Sequence, residues 1–306
     1  MAEKLVTGVY VAVLTPRSAD GSIDAAGLGA VIRFLMGKGI SSFAVNGATG
    51  ELCLTTPDEL RMMLTVVQEA SAGRAEILCG VGAPGTARAK ELAVTARSAS
   101  YHGAVKGLLL PMPYFFPYQQ EDLELFCREV AASTELPILL YNLPQFTSGL
   151  AKETVRRLIT EVANIVGIKD SSGSLEILRD LTEHGVDACR LVGNDTVYAQ
   201  ALQEGVCDGI VSGVACPLPE LIQALWREAA RTESEEFASA SRLLDEFIAQ
   251  LNAFPTPWGL KWTAEARGIV PATFSQPVTQ HRREQGRAVV AWMQEWLPGA
   301  IEATTR

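Results

Sequence analysis

Histidine is scarce in this chain. Its 306 residues contain only His102, His184 and His281. They are far apart and lack H-E-x-x-H spacing, which argues against a histidine-held metal. The six cysteines (Cys53, Cys79, Cys127, Cys189, Cys207 and Cys216) form no C-x-x-C pair, so neither a structural zinc site nor a redox dithiol is expected. Several lie in apolar runs and read as small buried hydrophobes, consistent with a reducing compartment. Basic charge is also short: 26 Lys and Arg against 35 Asp and Glu leave a net charge of -9. That argues against nucleic acid or an anionic membrane as the main partner, although a local basic site for a small acid fits. No apolar run approaches membrane-spanning length. The opening Met1-Ala2-Glu3-Lys4-Leu5 has no signal-peptide core. A cytoplasmic protein is expected.

The composition is 48% hydrophobic and 20% charged, enough for a substantial core. The length suits two average domains or one large α/β barrel. Short apolar runs at 8–14, 42–46, 76–81, 105–110, 138–141, 165–169, 190–193 and 209–212 read as strands, with amphipathic segments between them. The clearest helix start is Thr56-Pro57-Asp58-Glu59: an N-cap, a proline at the first helical position and the glutamate of a capping box. Leu60, Met63, Leu64 and Val67 then share one face. About eight such units predict a (β/α)8 TIM barrel over residues 1–217. An open doubly wound sheet usually carries a glycine-rich turn after its first strand; here that turn is Leu14-Thr15-Pro16-Arg17. The helical stretches after residue 217 are too many for one closing helix. Residues 218–306 are therefore expected to form a C-terminal helical extension packed on the barrel as one structural unit.

In a barrel, functional groups gather at the C-terminal ends of the strands. The most informative of these ends is Ile165-Val166-Gly167-Ile168-Lys169-Asp170. Lys169 follows a buried run and precedes the turn residues Ser171-Ser172-Gly173. Partial desolvation favours the neutral amine, which attacks carbonyls to form a Schiff base; a lysine snorkelling to solvent gives the same pattern. Strand two ends in Gly47-Ala48-Thr49-Gly50-Glu51, either a carboxylate-binding loop with Thr49 as a donor or a plain βα turn. After strand four, Tyr114, Phe115, Phe116 and Tyr118 alternate with prolines in a stiff segment. It either lines a pocket, meets another subunit or lids the core. Tyr141 ends strand five beside strand six and Lys169. It is a proton shuttle or an ordinary core tyrosine. Gly193 and Gly213 suit close backbone approach to a ligand. Asp195 either accepts hydrogen bonds from substrate hydroxyls or caps the next helix.

Together these strand ends resemble the dihydrodipicolinate synthase / N-acetylneuraminate lyase family of class I aldolases. The resemblance runs from Leu14-Thr15-Pro16 to the stretch 255–262. Its specific marks are Gly47-Ala48-Thr49-Gly50-Glu51, Tyr141-Asn142-Leu143-Pro144 and Gly167-Ile168-Lys169-Asp170. It implies a barrel with a helical extension, commonly a homotetramer. It also implies an imine between Lys169 and the ketone of pyruvate or another small 2-oxo acid, with an aldehyde as the second partner. Tyr141 and Thr49 would relay protons, and Gly47, Ala48 and Gly50 would cradle the carboxylate. No metal or organic cofactor is implied, because the imine itself serves as electron sink.

Three departures shape the expected function. Ala48 stands where the family loop usually has a hydroxyl residue. Phe115 is the nearest match to a tyrosine that the synthases pass into a neighbouring subunit, with Tyr114 and Tyr118 as alternatives. Neither alanine nor phenylalanine relays protons. Phe146 stands where the synthases carry an arginine that grips a second carboxylate, which argues against dihydrodipicolinate synthase activity itself. The Lys169-Asp170-Ser171-Ser172-Gly173 ending is closer to lyase and 2-keto-3-deoxy sugar-acid aldolase members. Thr196 replaces an acidic neighbour of the sialic-acid lyases. Specificity is expected to involve Phe146, Asp195, Val211 and the aromatic segment. The expected activity is cleavage of a 2-oxo-3-deoxy acid to pyruvate and an aldehyde, or the reverse condensation. The alternatives are a dehydratase on a similar imine, a synthase-like condensation and a non-catalytic 2-oxo-acid-binding protein.

Overall fold

The computed structural model describes residues 4–100 and 103–305; His102 lies outside them. Eight parallel strands close into a barrel in sequence order. They are β1 (Gly8–Ala12), β2 (Ser42–Val45), β3 (Glu76–Gly80), β4 (Val105–Pro111), β5 (Ile138–Asn142), β6 (Ile165–Asp170), β7 (Cys189–Val192) and β8 (Gly209–Ser212). β1 pairs with β8, with Gly8 opposite Gly209 and Val11 opposite Ser212, so no sheet edge is left open. The (β/α)8 TIM barrel expected from the alternating runs is the observed fold.

Two cores follow from the strand alternation. Tyr10, Ala12, Ala44, Leu78, Leu109, Leu139, Tyr141, Leu191 and Val211 fill the barrel interior. Residues of opposite parity, such as Val11, Phe43, Leu108 and Leu140, pack outward against the helices. On β6 the alternation is broken. A register shift against β5 lies between Ile138 and Leu139. Val166 therefore joins the interior, while Ile165 and Ile168 face the helices. Lys169 returns to the interior directly after Ile168. A Cβ on Gly167 would fall 2.1 Å from the Cys189 carbonyl oxygen, so only glycine lets β6 and β7 approach this closely here.

The helices are α1 (Ala25–Gly37), α2 (Pro57–Ala70), α3 (Thr86–Ser98), α4 (Gln120–Ala131), α5 (Lys152–Glu161), α6 (Glu176–Glu183), α7 (Tyr198–Glu204) and α8 (Pro219–Arg227). The capping box on α2 forms as the sequence predicts. Glu59 N–H donates to Thr56 Oγ1 at 3.2 Å, and Thr56 N–H donates to Glu59 Oε2 at 2.8 Å. Leu60, Met63, Leu64 and Val67 are buried. α8 follows β8, packs against β1 and completes the eighth unit. Beyond it lie α9 (Glu235–Leu251), α10 (Trp258–Ala266) and α11 (Gln280–Thr305). α11 packs on α8, α9 and α10, and Phe247 stacks on Trp292 and Trp296. Cys79, Cys127, Cys189 and Cys216 are buried, Cys207 is half-buried, Cys53 is exposed, and all are free thiols. Among the described residues, no helix is long and apolar enough to cross a membrane.

Candidate active site

Strands β5 and β6 are tied at their C-terminal ends. Asn142 stands opposite Asp170, and Tyr141 opposite Lys169. Asn142 Nδ2 donates to Asp170 Oδ1 at 3.0 Å, and Asn142 Oδ1 accepts from Leu150 N–H at 3.0 Å. Burial pushes the Asp170 carboxyl above the usual aspartate range, an effect opposed by the Ser172 amide and Asn142. The strap holds Tyr141 and Lys169 side by side. Both are buried, and Lys169 Nζ lies 4.0 Å from the centroid of the Tyr141 ring.

Space for the lysine comes from β7. A Cβ on Gly193 would meet Ser171 Oγ at 2.1 Å and Lys169 Cε at 2.7 Å, so the lysine stem passes over a bare backbone. Ser171 was read from sequence only as a turn residue. Its hydroxyl is buried without a hydrogen-bond partner and borders the same cavity as Lys169.

The glycine loop after β2 is shaped by its neighbours. Asn46 has φ 61° and donates from Nδ2 to the Gly80 carbonyl at 2.8 Å. A Cβ on Gly80 would lie 1.8 Å from the Asn46 carbonyl oxygen. Within the loop, Gly50 and Leu52 N–H donate to the Gly47 carbonyl, and Glu51 N–H to that of Ala48. The amides of Ala48 and Thr49 take no acceptor among the described residues. Two consecutive free amides make a concavity suited to an anion.

Beside this loop, at the end of β8, Ser212 Oγ donates to Asp195 Oδ1. Burial pushes the Asp195 carboxyl above its usual range, against the Ser212 hydroxyl, the Val214 and Gly213 amides and the Lys169 charge. A Cβ on Gly213 would sit 3.2 Å from Thr49 Oγ1 and 4.0 Å from Asp195 Oδ2, so these three residues meet at one point.

The resulting cavity holds about 350 Å³. It brings together Lys169, Tyr141, Thr49, Ala48, Phe146, Gly193, Asp195, Val211 and Gly213 from the sequence expectations. Gly47 and Gly50 set the loop but do not border the cavity. Tyr114 lines an adjoining cavity. Phe115 is not brought to either one: it is 86% exposed with φ 87° and stands edge-on to Phe116.

The sequence reading did not include the wall supplied by the extension. Ile248 and Leu251 of α9, Asn252, Thr256 and Leu260 of α10 close one side of the cavity. Lys261 was given no role in that reading. Its Nζ donates to Glu51 Oε2 at 2.6 Å, with both side chains buried. Ser275 Oγ donates to Glu51 Oε1 at 2.7 Å. A lysine in the apolar run Leu260-Lys261-Trp262 was the available signal, since buried lysines are usually paired. The described residues contain no group of three His, Cys, Asp or Glu placed to hold a metal ion.

Comparison with known proteins gives the same picture. The dihydrodipicolinate synthetase family model matches residues 5–296. The 4-hydroxy-tetrahydrodipicolinate synthase of Azoarcus sp. (strain BH72) is 32% identical over 278 residues, covering 90% of this chain and 93% of that protein. The structure of 4-hydroxy-tetrahydrodipicolinate synthase from Methylacidiphilum fumariolicum SolV is similar with a TM-score of 0.86 at 27% identity, over 97% of this chain and 99% of that one. The chloride-inhibited dihydrodipicolinate synthase from Acinetobacter baumannii, solved with pyruvate, gives 0.84 at 25% identity, over 94% and 98%. With the barrel, the order of its strand-end motifs and these matches in agreement, the chain belongs to the dihydrodipicolinate synthetase family and is a carbon–carbon lyase of the class I aldolase type.

Proposed function

We propose that this enzyme cleaves a 2-oxo-3-deoxy acid bearing a 4-hydroxyl into pyruvate and an aldehyde, and catalyses the reverse condensation. The observation that carries the reading is the buried Lys169 against the Tyr141 ring, in one cavity with Ala48 and Thr49, whose amides take no acceptor among the described residues. Those amides receive the substrate carboxylate. Lys169 Nζ attacks the C2 ketone, and loss of water leaves a cationic imine. A base removes the C4 hydroxyl proton, the C3–C4 bond breaks, and its electron pair passes through C3 to the imine nitrogen. The aldehyde departs, the enamine is protonated at C3, and water releases pyruvate and the free lysine. The imine is the electron sink, so no metal or organic cofactor is needed. The solved relative bound to pyruvate supports a 2-oxo acid in this cavity. Lys169 is the one cationic residue among those lining it. That disfavours a substrate with a second carboxylate and so a synthase-type condensation.

Incubation with pyruvate and borohydride, followed by peptide mapping, tests the imine. A reduced pyruvyl adduct on Lys169 is expected, and its absence with every 2-oxo acid tried would overturn the reading. Tyr141 is assigned the proton transfers. Tyr141→Phe keeps the ring under Lys169 and removes only the hydroxyl. Turnover is expected to fall by about 10²–10⁴-fold, with pyruvate affinity changing far less. An unchanged kcat would move the relay elsewhere, the unpartnered Ser171 hydroxyl being the nearest candidate.

A further inference from the structure

We propose that Asp195 is the base that takes the C4 hydroxyl proton, leaving to Tyr141 the transfers at the imine and at C3. The inference rests on the proposed cleavage reaction and divides its proton transfers between two residues.

Breaking the C3–C4 bond needs an acceptor for the hydroxyl proton, and the cavity offers few. Ala48 has no hydroxyl. A tyrosine carries its proton near neutral pH, so it accepts one only after giving up its own. Among the described residues lining the lysine cavity there is no histidine, and Asp195 is the one carboxylate. Burial holds its carboxyl above the usual aspartate range, which strengthens it as a proton acceptor.

The capping role open to Asp195 is filled by its neighbour. Asn194 caps the short helical turn Asp195–Val197: its Oδ1 accepts from Thr196 N–H at 3.1 Å and from Thr196 Oγ1 at 2.8 Å. The Asp195 carboxylate turns instead to the end of β8. Ser212 Oγ donates to Oδ1 and is itself fixed by the Ala215 N–H at 2.9 Å. Oδ2 has no side-chain hydrogen bond among the described residues. It faces the bare backbone of Gly213, beside the same point that Thr49 Oγ1 borders. The Lys169 charge is felt at Asp195, yet the two form no ion pair among the described residues. That separation leaves room for C2, C3 and C4 between the imine nitrogen and the carboxylate.

Oδ2 takes the hydroxyl proton, the O–H pair becomes the second bond of the aldehyde carbonyl, and the C3–C4 pair passes into the enamine. Once the aldehyde has left, Asp195 gives the proton to water. Tyr141 protonates C3 and regains its own proton from water.

Asp195→Asn keeps the shape and the acceptor for Ser212 while removing the base, and separate readouts follow the two halves of the reaction. Borohydride trapping of Lys169 with pyruvate, and exchange of the pyruvate C3 hydrogens in deuterated water followed by NMR, report the imine and the enamine. Release of pyruvate from 4-hydroxy-2-oxopentanoate and from a six-carbon 2-keto-3-deoxy sugar acid reports cleavage. For Asp195→Asn, kcat for cleavage is expected to fall by about 10²–10⁴-fold, with trapping and exchange within about threefold of the wild type. Ser212→Ala keeps the carboxylate but frees Oδ1, and it serves if the first variant fails to fold. It should lower kcat by roughly tenfold, the scale of one hydrogen bond, again with trapping intact. Unchanged cleavage in either variant, a rise in KM alone, or exchange that falls in parallel with cleavage overturns the assignment, while cleavage by the wild type keeps the proposed reaction. A wild type that cleaves neither acid overturns that reaction and the assignment with it.

Discussion

Replacing Lys169 with methionine is expected to abolish cleavage while leaving the fold as stable as the wild type or more so. Lys169 is 3% exposed. Its Nζ makes no hydrogen bond among the described residues and rests on the Tyr141 ring. Taking a lysine side chain largely out of water without a protein hydrogen-bond partner is a cost to folding, and a thioether of similar length removes that cost while keeping the packing. Function moves the other way. Without the amine no imine forms, and the electrons of the breaking C3–C4 bond have no sink. The loss in kcat/KM should be on the order of 10⁴-fold or more, the scale at which a group acting as part of a covalent catalytic unit is removed. The unfolding midpoint should match the wild type or rise by about 2–4 °C, the equivalent of roughly 1 kcal/mol. Steady-state kinetics and a thermal melt on the same preparation decide it. Cleavage well above background would remove Lys169 from the chemistry. A collapsed midpoint would make it a structural residue.

How much of this was legible in the chain depends on the range of the interaction. The eight strands are short, rich in β-branched and aliphatic residues and bounded by turn residues, so local pattern locates them to within a residue or two. The run at 8–14 leaves the ladder after Ala12, and the seventh strand begins one residue earlier, at Cys189. Strand ends carry the chemistry in a barrel, and that rule brought Tyr141, Lys169, Thr49 and Asp195 to one cavity before any geometry was known. Two things were hidden. Strict alternation would put Ile165 on the side of Lys169, but the register shift on β6 turns Ile165 outward. A shift of one residue has no signature in an apolar run. The wall from α9 and α10 was hidden for a different reason. Helical periodicity shows that Ile248 and Leu251 share an apolar face, but not that the face covers the barrel mouth. The bond between Lys261 and Glu51 spans 210 residues of sequence: a lysine in an apolar run signals a partner, but nothing local identifies Glu51 as that partner.

That bond carries the largest stability prediction. Glu51 ends the glycine loop after β2 in the left-handed region, with φ 58°. Lys261 belongs to α10, and Ser275 lies beyond it. The Glu51 carboxylate thus fastens the loop to the C-terminal helices, which also wall the cavity. Both side chains of the ion pair are under 10% exposed, at 4% and 7%. Burial pushes the Lys261 ammonium below the usual lysine range even with Glu51 in contact, so mutual attraction does not fully offset the lost hydration. Lys261→Ala leaves the carboxylate buried with Ser275 alone as a direct partner. The expected cost is about 3–5 kcal/mol, a fall in the unfolding midpoint on the order of 10 °C. Imine formation with pyruvate should weaken as well, because the loop loses its anchor. The double variant Glu51→Leu with Lys261→Met, set beside Lys261→Met alone, discriminates this account from simple loss of packing. Removing both charges removes the penalty of an orphaned one, so most of the lost stability should return. Imine formation should recover less, since no ionic clasp then sets the position of Ala48 and Thr49. If Lys261→Met alone, which keeps a long side chain beside Phe274 but leaves Glu51 without its cation, melts like the wild type, the contribution of Lys261 is its packing rather than its charge.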